Sequence, residues 1–302
     1  MATKFTVAYC KDANNVGDIA SNPLQYFLPN SEYNTVNLAS LEKETYSSKS
    51  PLIVGGGGLI ANQTFEDNLK TILEPADYFR LKKLKHQRWQ LADRQNSQIY
   101  DDFQESWDNL FDKALQKLRK KSAPRMIWGA GHNNYDLERE VEYPEYLEEF
   151  DSIGMRDYGT GYQWVPCASC MHNAFDREYT IRNDVIWFEH KKQLIKNFGT
   201  DSIPRYVNSG NNIEHTIELL GSANIVLTNS YHGAYWATLL KKRVIVVNPW
   251  STKFQFFKHE PVMCSKNQQW QTLIDQATVY DDALDECRAA TRDYWDEIKQ
   301  YR

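Results

Sequence analysis

The sequence predicts an α/β protein with two Rossmann-like, doubly wound domains that face each other across a cleft. Two observations support this prediction. Short apolar strands alternate with amphipathic helices, and most of these strands end in a polar or glycine-rich turn. The pattern stops after Phe175 and then starts again, which indicates two arrays with a boundary near residue 178. This alternation is typical of parallel sheets covered by helices, with ligands at the carboxyl ends of the strands.

The first array spans residues 1–178. Its predicted strands are Phe5–Tyr9, Leu52–Val54, Met126–Trp128 and Ser152–Met155. Four glycines follow the second strand, and we expect them to open a helix over Leu59–Leu73. A charged segment from about 75 to 121 is predicted to be a helical insert, basic in its first half. Its basic face is either solvated or a peripheral contact for an anionic membrane or a charged glycan carrier.

The second array spans residues 179–302. Its predicted strands are Val185–Phe188, Ala223–Leu227 and Val244–Val247, and its predicted helices are Ile213–Leu220, His232–Leu240 and Asp281–Tyr301. The last helix is expected to pack back on the rest of the chain. Two Rossmann-like halves that face each other form the architecture called GT-B, in which the cleft would hold the active site.

The composition excludes several classes of protein. The 302 residues carry a formal net charge of −5, unlike the basic excess of a general nucleic-acid binder. No apolar run approaches the roughly 20 residues that span a bilayer, and the first residues are too polar for a secretion signal. Five cysteines in a chain of this length do not suggest a disulfide framework. We therefore expect a cytoplasmic protein.

Two candidate motifs follow strands of the first array. Asn15, Gly17 and Asp18 form either a helix cap and turn or a site in which the Asp18 carboxylate takes a proton from a hydroxyl. Gly56, Gly57 and Gly58 are interpreted as a loop that lets the backbone approach an anion or a substrate. The run formally fits a dinucleotide fingerprint. We predict no such cofactor, because no acidic residue ends a second strand about 20 residues later.

Further candidates lie in the second array. His232 is predicted in the first turn of a helix. There the helix dipole would lower the pKa of the imidazole and favour a bound anion. Alternatively, His232 caps the helix or lies in the core. Ser230 lies two residues before it. Lys253 follows the strand Val244–Val247 and either neutralises a phosphate or carboxylate or lies in a solvated loop.

A Cys-x-x-Cys motif, Cys167 to Cys170, lies beside His172. A structural zinc site needs four ligands, and the chain has no second pair at a suitable spacing. A redox pair of the thioredoxin type would open a helix after an early strand, whereas this pair follows Pro166. We therefore predict no metal site.

Five short motifs, taken in order along the chain, resemble those of the polysaccharide pyruvyltransferase family. They are Asn15-Val16-Gly17-Asp18, Val54-Gly55-Gly56-Gly57-Gly58-Leu59, Trp128-Gly129-Ala130-Gly131, Gly154-Met155-Arg156-Asp157 and Ser230-Tyr231-His232-Gly233-Ala234. None of them is specific alone, whereas five in this order are.

The resemblance implies a GT-B-like fold and transfer of the enolpyruvyl group of phosphoenolpyruvate to a glycan, which leaves a pyruvate ketal. On the same basis the first array, residues 1–178, would be the acceptor side and the second, residues 179–302, the donor side. Arg156 and His232 look like donor-binding residues. Family members often carry Arg-Leu-His where this chain has Ser230-Tyr231-His232, so one guanidinium is missing. Either Lys253 or another cation replaces it, or the donor or its affinity differs. On this basis Arg156 and Lys253 would clamp the anion, His232 would be the acid or a phosphate ligand, and Asp18 would be the base.

Two other functions fit parts of the sequence. A GT-B glycosyltransferase that uses a nucleotide sugar would share the fold, but it usually needs an acidic residue that binds a ribose. Glu260 is the candidate for that role. A non-catalytic glycan-binding relative of the family is also compatible with the serine at position 230.

Overall fold

The computed structural model describes residues 4–43, 46–47, 49–61, 63–73, 123–138, 140–195 and 202–302. Within these ranges the chain forms two sheets, and every strand pair in them is parallel. All strands of the first sheet precede residue 178, and all strands of the second follow it. The fold is therefore a Rossmann-like α/β fold with two parallel sheets. The predicted insert at about 75–121 lies outside the described residues.

The first sheet has the order β2-β1-β3-β5-β6-β7, with β4 also paired to β5. Its strands are β1 Phe5–Tyr9, β2 Tyr33–Asn37, β3 Leu52–Val54, β4 Gly57–Ile60, β5 Arg125–His132, β6 Ser152–Met155 and β7 Gln163–Trp164. The chain therefore runs outward from β1 in one direction to β2 and in the other to β7. A doubly wound sheet of this kind has its ligand crevice where the direction changes, at the carboxyl ends of β1 and β3.

The second sheet repeats this arrangement in the order β12-β11-β10-β8-β9. Its strands are β8 Asn183–His190, β9 Arg205–Asn208, β10 Ala223–Thr228, β11 Arg243–Val247 and β12 Val262–Cys264. The change of direction lies between β8 and β10. The α-helices of both halves are α1 Val16–Ala20, α2 Gln63–Leu73, α3 Ile213–Gly221, α4 Tyr231–Leu239 and α5 Ala283–Ile298.

The prediction that the glycine run opens a helix at Leu59 is wrong. β3 and β4 are two segments of one interrupted strand, because both pair with β5, β3 at Arg125–Ile127 and β4 at Ala130–His132. Leu59 and Ile60 are buried in this sheet, and α2 begins only at Gln63. In the first array the chain therefore enters α2 only after this second strand segment.

The C-terminal helix α5 contacts both halves of the molecule. Ala283 and Cys287, near its start, pack in the apolar core around α4. Tyr294 and Ile298, near its end, pack against Trp128 below the first sheet. The buried Tyr294 hydroxyl donates a hydrogen bond to the carbonyl oxygen of Ile127 at 2.6 Å. The Ser152 hydroxyl oxygen lies 3.1 Å from the same oxygen and 2.7 Å from the Glu297 carboxylate, which is the closer acceptor for its single hydrogen.

We expect Tyr294→Phe to lower the free energy of unfolding by about 1–3 kcal/mol, because it removes the buried hydrogen bond to the carbonyl oxygen of Ile127 on β5. Chemical denaturation measures this change. Tyr301→Phe is the matched control, since no hydrogen bond of its hydroxyl is found within the described ranges, and we expect a change of at most about 0.5 kcal/mol. Equal stability of the two variants would contradict this account of α5.

Candidate active site

The carboxyl ends of the two sheets contact each other through their loops. After β1, the Asp12 carboxylate accepts from the Lys191 ammonium, which follows β8, at 2.5 Å. The Asn14 side chain accepts from the backbone N–H of Gly210, after β9, at 3.0 Å. Residues that follow strands in opposite halves thus meet at one place, where doubly wound sheets bind their ligands.

The contact between Gly17 and His232 joins the two points at which the strand direction changes. Gly17 lies in α1, after β1, and His232 lies in the first turn of α4, after β10. A side-chain carbon at position 17 would overlap the His232 imidazole around Nδ1. Glycine is therefore needed here for close approach rather than for an unusual backbone angle.

Arg156 lies directly after β6, with only 4% of its surface exposed. Its guanidinium carbon lies 4.1 Å from the centre of the Tyr231 ring, and that ring is 5.7 Å from the ring of His232. Its Nη2 donates to the carbonyl oxygen of His132 at 3.3 Å. A side chain at Gly131 would overlap Arg156, so this glycine also makes room for the guanidinium. The structure thus brings Arg156 and His232 against the same tyrosine.

Asp157 holds the arginine in place. Its carboxylate lies 3.5 Å from Nε of Arg156. It also accepts from the backbone N–H of His132 at 2.5 Å and from the Tyr143 hydroxyl at 2.8 Å. This carboxylate is 1% exposed and is fully engaged with protein donors. Arg156 is therefore oriented by protein contacts before any ligand binds.

Lys253 reaches the cleft from a short 3-10 helix, Thr252–Gln255, that follows β11. Two contacts dock this segment on the first half. The Ser251 hydroxyl donates to the side chain of Asn133 at 2.6 Å, and the Thr252 N–H donates to the carbonyl oxygen of Asn134 at 2.9 Å. The Lys253 ammonium lies 3.6 Å from the centre of the Trp250 ring. Lys253 is 7% exposed, and among the described residues none forms an ion pair or hydrogen bond with its ammonium.

The charged groups around His232 shift one another's pKa values. Burial and, after it, the charges of Arg156 and Lys253 together lower the pKa of His232 to about 3. Burial also lowers the pKa of Lys253 well below its usual range; the charge of Arg156 acts in the same direction and that of Asp18 opposes it. Burial and the charge of Asp12 together raise the pKa of Asp18 to about 6, against the opposing charge of Lys191. A bound anion would stabilise the protonated form of each of these groups.

An aromatic wall adjoins Lys253. Trp250 stacks on Tyr135 with ring centres 5.5 Å apart, and the ring of His190 lies 4.9 Å from Trp250. Tyr135 is 63% exposed, so one face of this pair is open to solvent. Burial and the charge of Lys253 lower the pKa of His190 to about 4. The wall therefore offers flat, uncharged surfaces beside a buried cation.

Several predicted site residues have structural partners. Asn15 caps α1 by accepting from the Gly17 N–H at 3.1 Å. Ser230 caps α4, accepting from the Gly233 N–H at 3.4 Å and from the Asn208 side chain at 3.2 Å. The Ser230 side chain is thus committed to the helix and to β9.

The glycine run is predicted to form a helix N-terminus. In the structure it does not, because β4 follows it and α2 begins only at Gln63. The Gly56 N–H donates to the carbonyl oxygen of Ser21, and a side chain there would lie 3.0 Å from the carbonyl oxygen of Gly129. Gly57 has a φ of +131°, which favours glycine. A side chain at Gly58 would lie 2.7 Å from the Asn133 side chain. Gly56 and Gly58 therefore allow close packing against β5 and the residue that follows it.

The Cys-x-x-Cys motif lies behind the cleft. Cys167 Sγ lies 3.6 Å from His232 Nε2, whereas His172 accepts from the backbone N–H of Ala174. All five cysteines are free thiols. Within the described ranges, no three histidine, cysteine or carboxylate side chains are grouped so that they could hold a metal ion.

His132, His190 and Asp157 were not among the residues predicted for the site. Each lies at the carboxyl end of a strand or within two residues of one, namely β5, β8 and β6. Selecting polar residues just after the predicted strand ends would have found His190 and Asp157. His132 could not be found in this way, because β5 continues four residues beyond the predicted end at Trp128. Glu260, the candidate ribose ligand, instead precedes β12 and is exposed, so it lies at the amino end of its strand.

Comparisons with known proteins leave the function open. No family model matches the sequence, and no curated protein matches it. A solved structure of a functionally uncharacterised protein from Klebsiella pneumoniae subsp. pneumoniae NTUH-K2044 matches 87% of this chain and 92% of its own, with 16% identity and a TM-score of 0.39. In the part of the chain that the structure describes, no helix has the length and apolar character needed to cross a membrane.

The opposite pKa shifts of two neighbouring aspartates give a test of this electrostatic account. Asp18 has a raised pKa, so its contribution to stability is present below its ordinary pKa of 3.8 and is lost as the pH rises through about 6. We expect Asp18→Asn to raise the free energy of unfolding at about pH 8 by up to about 3 kcal/mol, and the gain to shrink toward pH 4.

Asp12→Asn is the matched control, because the hydrogen bond from Lys191 lowers the pKa of Asp12. Its contribution is present above its ordinary pKa and is lost as the pH falls through the lowered value. This variant should therefore be less stable than wild type at about pH 8. Urea denaturation at several pH values measures both differences, and a shared sign would refute the account.

Proposed function

We propose that this protein is a ketal pyruvyltransferase, which moves the enolpyruvyl group of phosphoenolpyruvate onto a sugar of a polysaccharide or its precursor. The observation that most supports this proposal is the charge of the cleft. Arg156 and Lys253 approach His232 from different halves of the molecule, and Lys253 has no ion-pair partner among the described residues. A small ligand with two anionic groups would balance these charges.

The donor has a phosphate and a carboxylate, and the cleft offers a different kind of group for each. The Arg156 guanidinium is planar, held by Asp157, and suited to two parallel hydrogen bonds with one anionic group. The Lys253 ammonium is a point charge above Trp250. The N-terminus of α4, where His232 lies, adds backbone donors and a positive dipole end. Closure of a GT-B-like cleft around the donor belongs to the same proposal.

The transfer needs two hydroxyl groups of one acceptor. A proton is added to the methylene carbon of phosphoenolpyruvate, and the first hydroxyl oxygen forms a bond to the adjacent carbon. The second hydroxyl oxygen then bonds to that carbon as its bond to the phosphate oxygen breaks. Of the two hydroxyl protons lost by the sugar, the equivalent of one ends on the new methyl group and the other on phosphate. An acid, a base and an anion clamp are therefore sufficient.

The pKa shifts divide these roles between Asp18 and His232. A carboxyl group with a pKa of about 6 is present in both protonation states near neutral pH, so Asp18 is suited to take a proton from the acceptor hydroxyl. A histidine with a pKa of about 3 is a neutral imidazole in the unliganded protein. His232 therefore serves as a hydrogen-bond donor to the anion, and becomes an acid only after the bound charge raises its pKa.

The exposed aromatic face of Tyr135 and Trp250 supports the glycan half of the proposal. Sugar rings present apolar C–H faces that pack on aromatic rings, and this pair adjoins Lys253. Peripheral membrane contact would depend on the basic insert, which lies outside the described residues. For a nucleotide-sugar glycosyltransferase, Glu260 lies at the wrong end of β12 to bind a ribose in this cleft.

We expect Arg156→Ala to weaken phosphoenolpyruvate binding by about one to two orders of magnitude, because it removes a charge-assisted contact of about 1.5–3 kcal/mol. Arg156→Lys should restore only part of the loss, since it lacks the planar fork. Calorimetric titration measures binding, and phosphate release across a panel of sugars measures turnover. Arg177→Ala removes an exposed ion pair with Glu214 and should bind as wild type does.

Three results would contradict the proposal. One is equal affinity of Arg156→Ala and wild type for phosphoenolpyruvate. Another is thermal stabilisation by UDP or GDP but not by phosphoenolpyruvate, which would favour a nucleotide-sugar glycosyltransferase. The third is retention of glycans without phosphate release on any acceptor, which would favour a non-catalytic glycan-binding protein.

A further inference from the structure

The contact between Cys167 and His232 connects the cleft to a buried hydrogen-bond chain. Cys167 is 3% exposed, and its Sγ lies 3.6 Å from the Nε2 atom of His232. The second cysteine of the motif, Cys170, takes no part, because its sulfur lies 3.4 Å from the Thr291 hydroxyl in the core. Of the two thiols in the motif, it is therefore that of Cys167 that contacts His232.

The direction of the chain is fixed at its far end. The indole N–H of Trp236 can only donate, and its partner at 2.9 Å is the hydroxyl oxygen of Ser169. The single hydroxyl hydrogen of Ser169 is then directed to Cys167 Sγ at 3.2 Å. The sulfur of Cys167 thus accepts a hydrogen bond, and its own hydrogen remains to be donated.

Two acceptors compete for the thiol hydrogen of Cys167. The Ser21 hydroxyl oxygen lies 4.0 Å away, and its own hydrogen is donated to the carbonyl oxygen of Gly17 at 2.7 Å. His232 Nε2 is closer, at 3.6 Å. An unprotonated imidazole nitrogen is also a stronger acceptor than a hydroxyl oxygen. The thiol hydrogen therefore goes to Nε2, which leaves the proton of the neutral ring on Nδ1.

We infer that Cys167 is a positioning residue, which holds His232 as the Nδ1–H tautomer so that the ring offers a donor on the side that faces Gly17. Nδ1 has no hydrogen-bond partner among the residues that the structure describes, and it lies against Gly17 of α1. Under the proposed function, this N–H would donate to an anionic oxygen of the bound donor. Only this use of the donor rests on the proposed function; the tautomer itself does not.

Nitrogen-15 NMR of the imidazole groups in the unliganded wild-type protein tests the tautomer directly. The signal of His232 is assigned by its loss in His232→Asn. We expect Nδ1 to carry the proton and Nε2 to be bare at neutral pH. A proton on Nε2 would overturn the inference, because it would mean that the ring donates to the sulfur and the thiol donates to Ser21. This measurement needs no substrate, so it stands apart from any failure of the proposed function.

Variants then test whether the Cys167 thiol determines the tautomer of His232. Cys167→Ala should shift His232 toward a mixture of tautomers and weaken phosphoenolpyruvate binding by about fivefold, the effect of one neutral hydrogen bond. Cys167→Ser keeps a donor and should restore the Nδ1–H tautomer. Cys170→Ala is the matched control, since it removes a buried thiol from the same motif without touching His232, and its His232 signal should be that of wild type. An unchanged tautomer in Cys167→Ala would overturn the inference.

Discussion

The close contact between Gly17 and His232 is the constraint on which the rest of the site depends. It brings α1, which follows the first strand of one sheet, against the N-terminus of α4, which belongs to the other sheet. With these two elements in contact, residues that follow strands of both sheets meet at one place. Asp18 lies one residue beyond the glycine, and Tyr231, on which Arg156 stacks, lies one residue before the histidine. A side chain at position 17 would overlap the imidazole, so His232 would have to leave this position.

The electrostatics of the cleft follow from this closure. Contacts of Asn133 and Asn134 with the segment Ser251–Thr252 bury Lys253 without a carboxylate partner among the described residues. Water that would otherwise stabilise the charged groups is excluded, so the basic groups lose proton affinity while Asp18 gains it. An anionic ligand would therefore stabilise the protonated forms of these groups. The buried carboxylate of Asp157 is paired with Arg156 and not with Lys253. The charge of Lys253 is therefore available to a ligand.

The sequence predicted the interior of both sheets better than their edges or their loops. The strands Phe5–Tyr9, Leu52–Val54 and Ser152–Met155 are confirmed, because central parallel strands are buried on both faces and read as apolar runs. The four edge strands, β2, β7, β9 and β12, were missed, since they are short and partly polar. The candidate positions of Asp18, Arg156 and His232 followed from strand ends. The docking of Asn133 on Ser251 could not be predicted, because it joins loops 118 residues apart that share no periodic pattern.

Proton uptake on ligand binding is the most direct test of a cationic cleft whose basic groups have lowered pKa values. It is obtained from calorimetric titration of phosphoenolpyruvate at neutral pH in buffers of different ionisation enthalpy. The account predicts net uptake of protons, because the bound anion raises the pKa of His232, of Lys253 and of Asp18 together. Lys253→Met should reduce this uptake. Binding without proton exchange, or with net release of protons, would contradict the account.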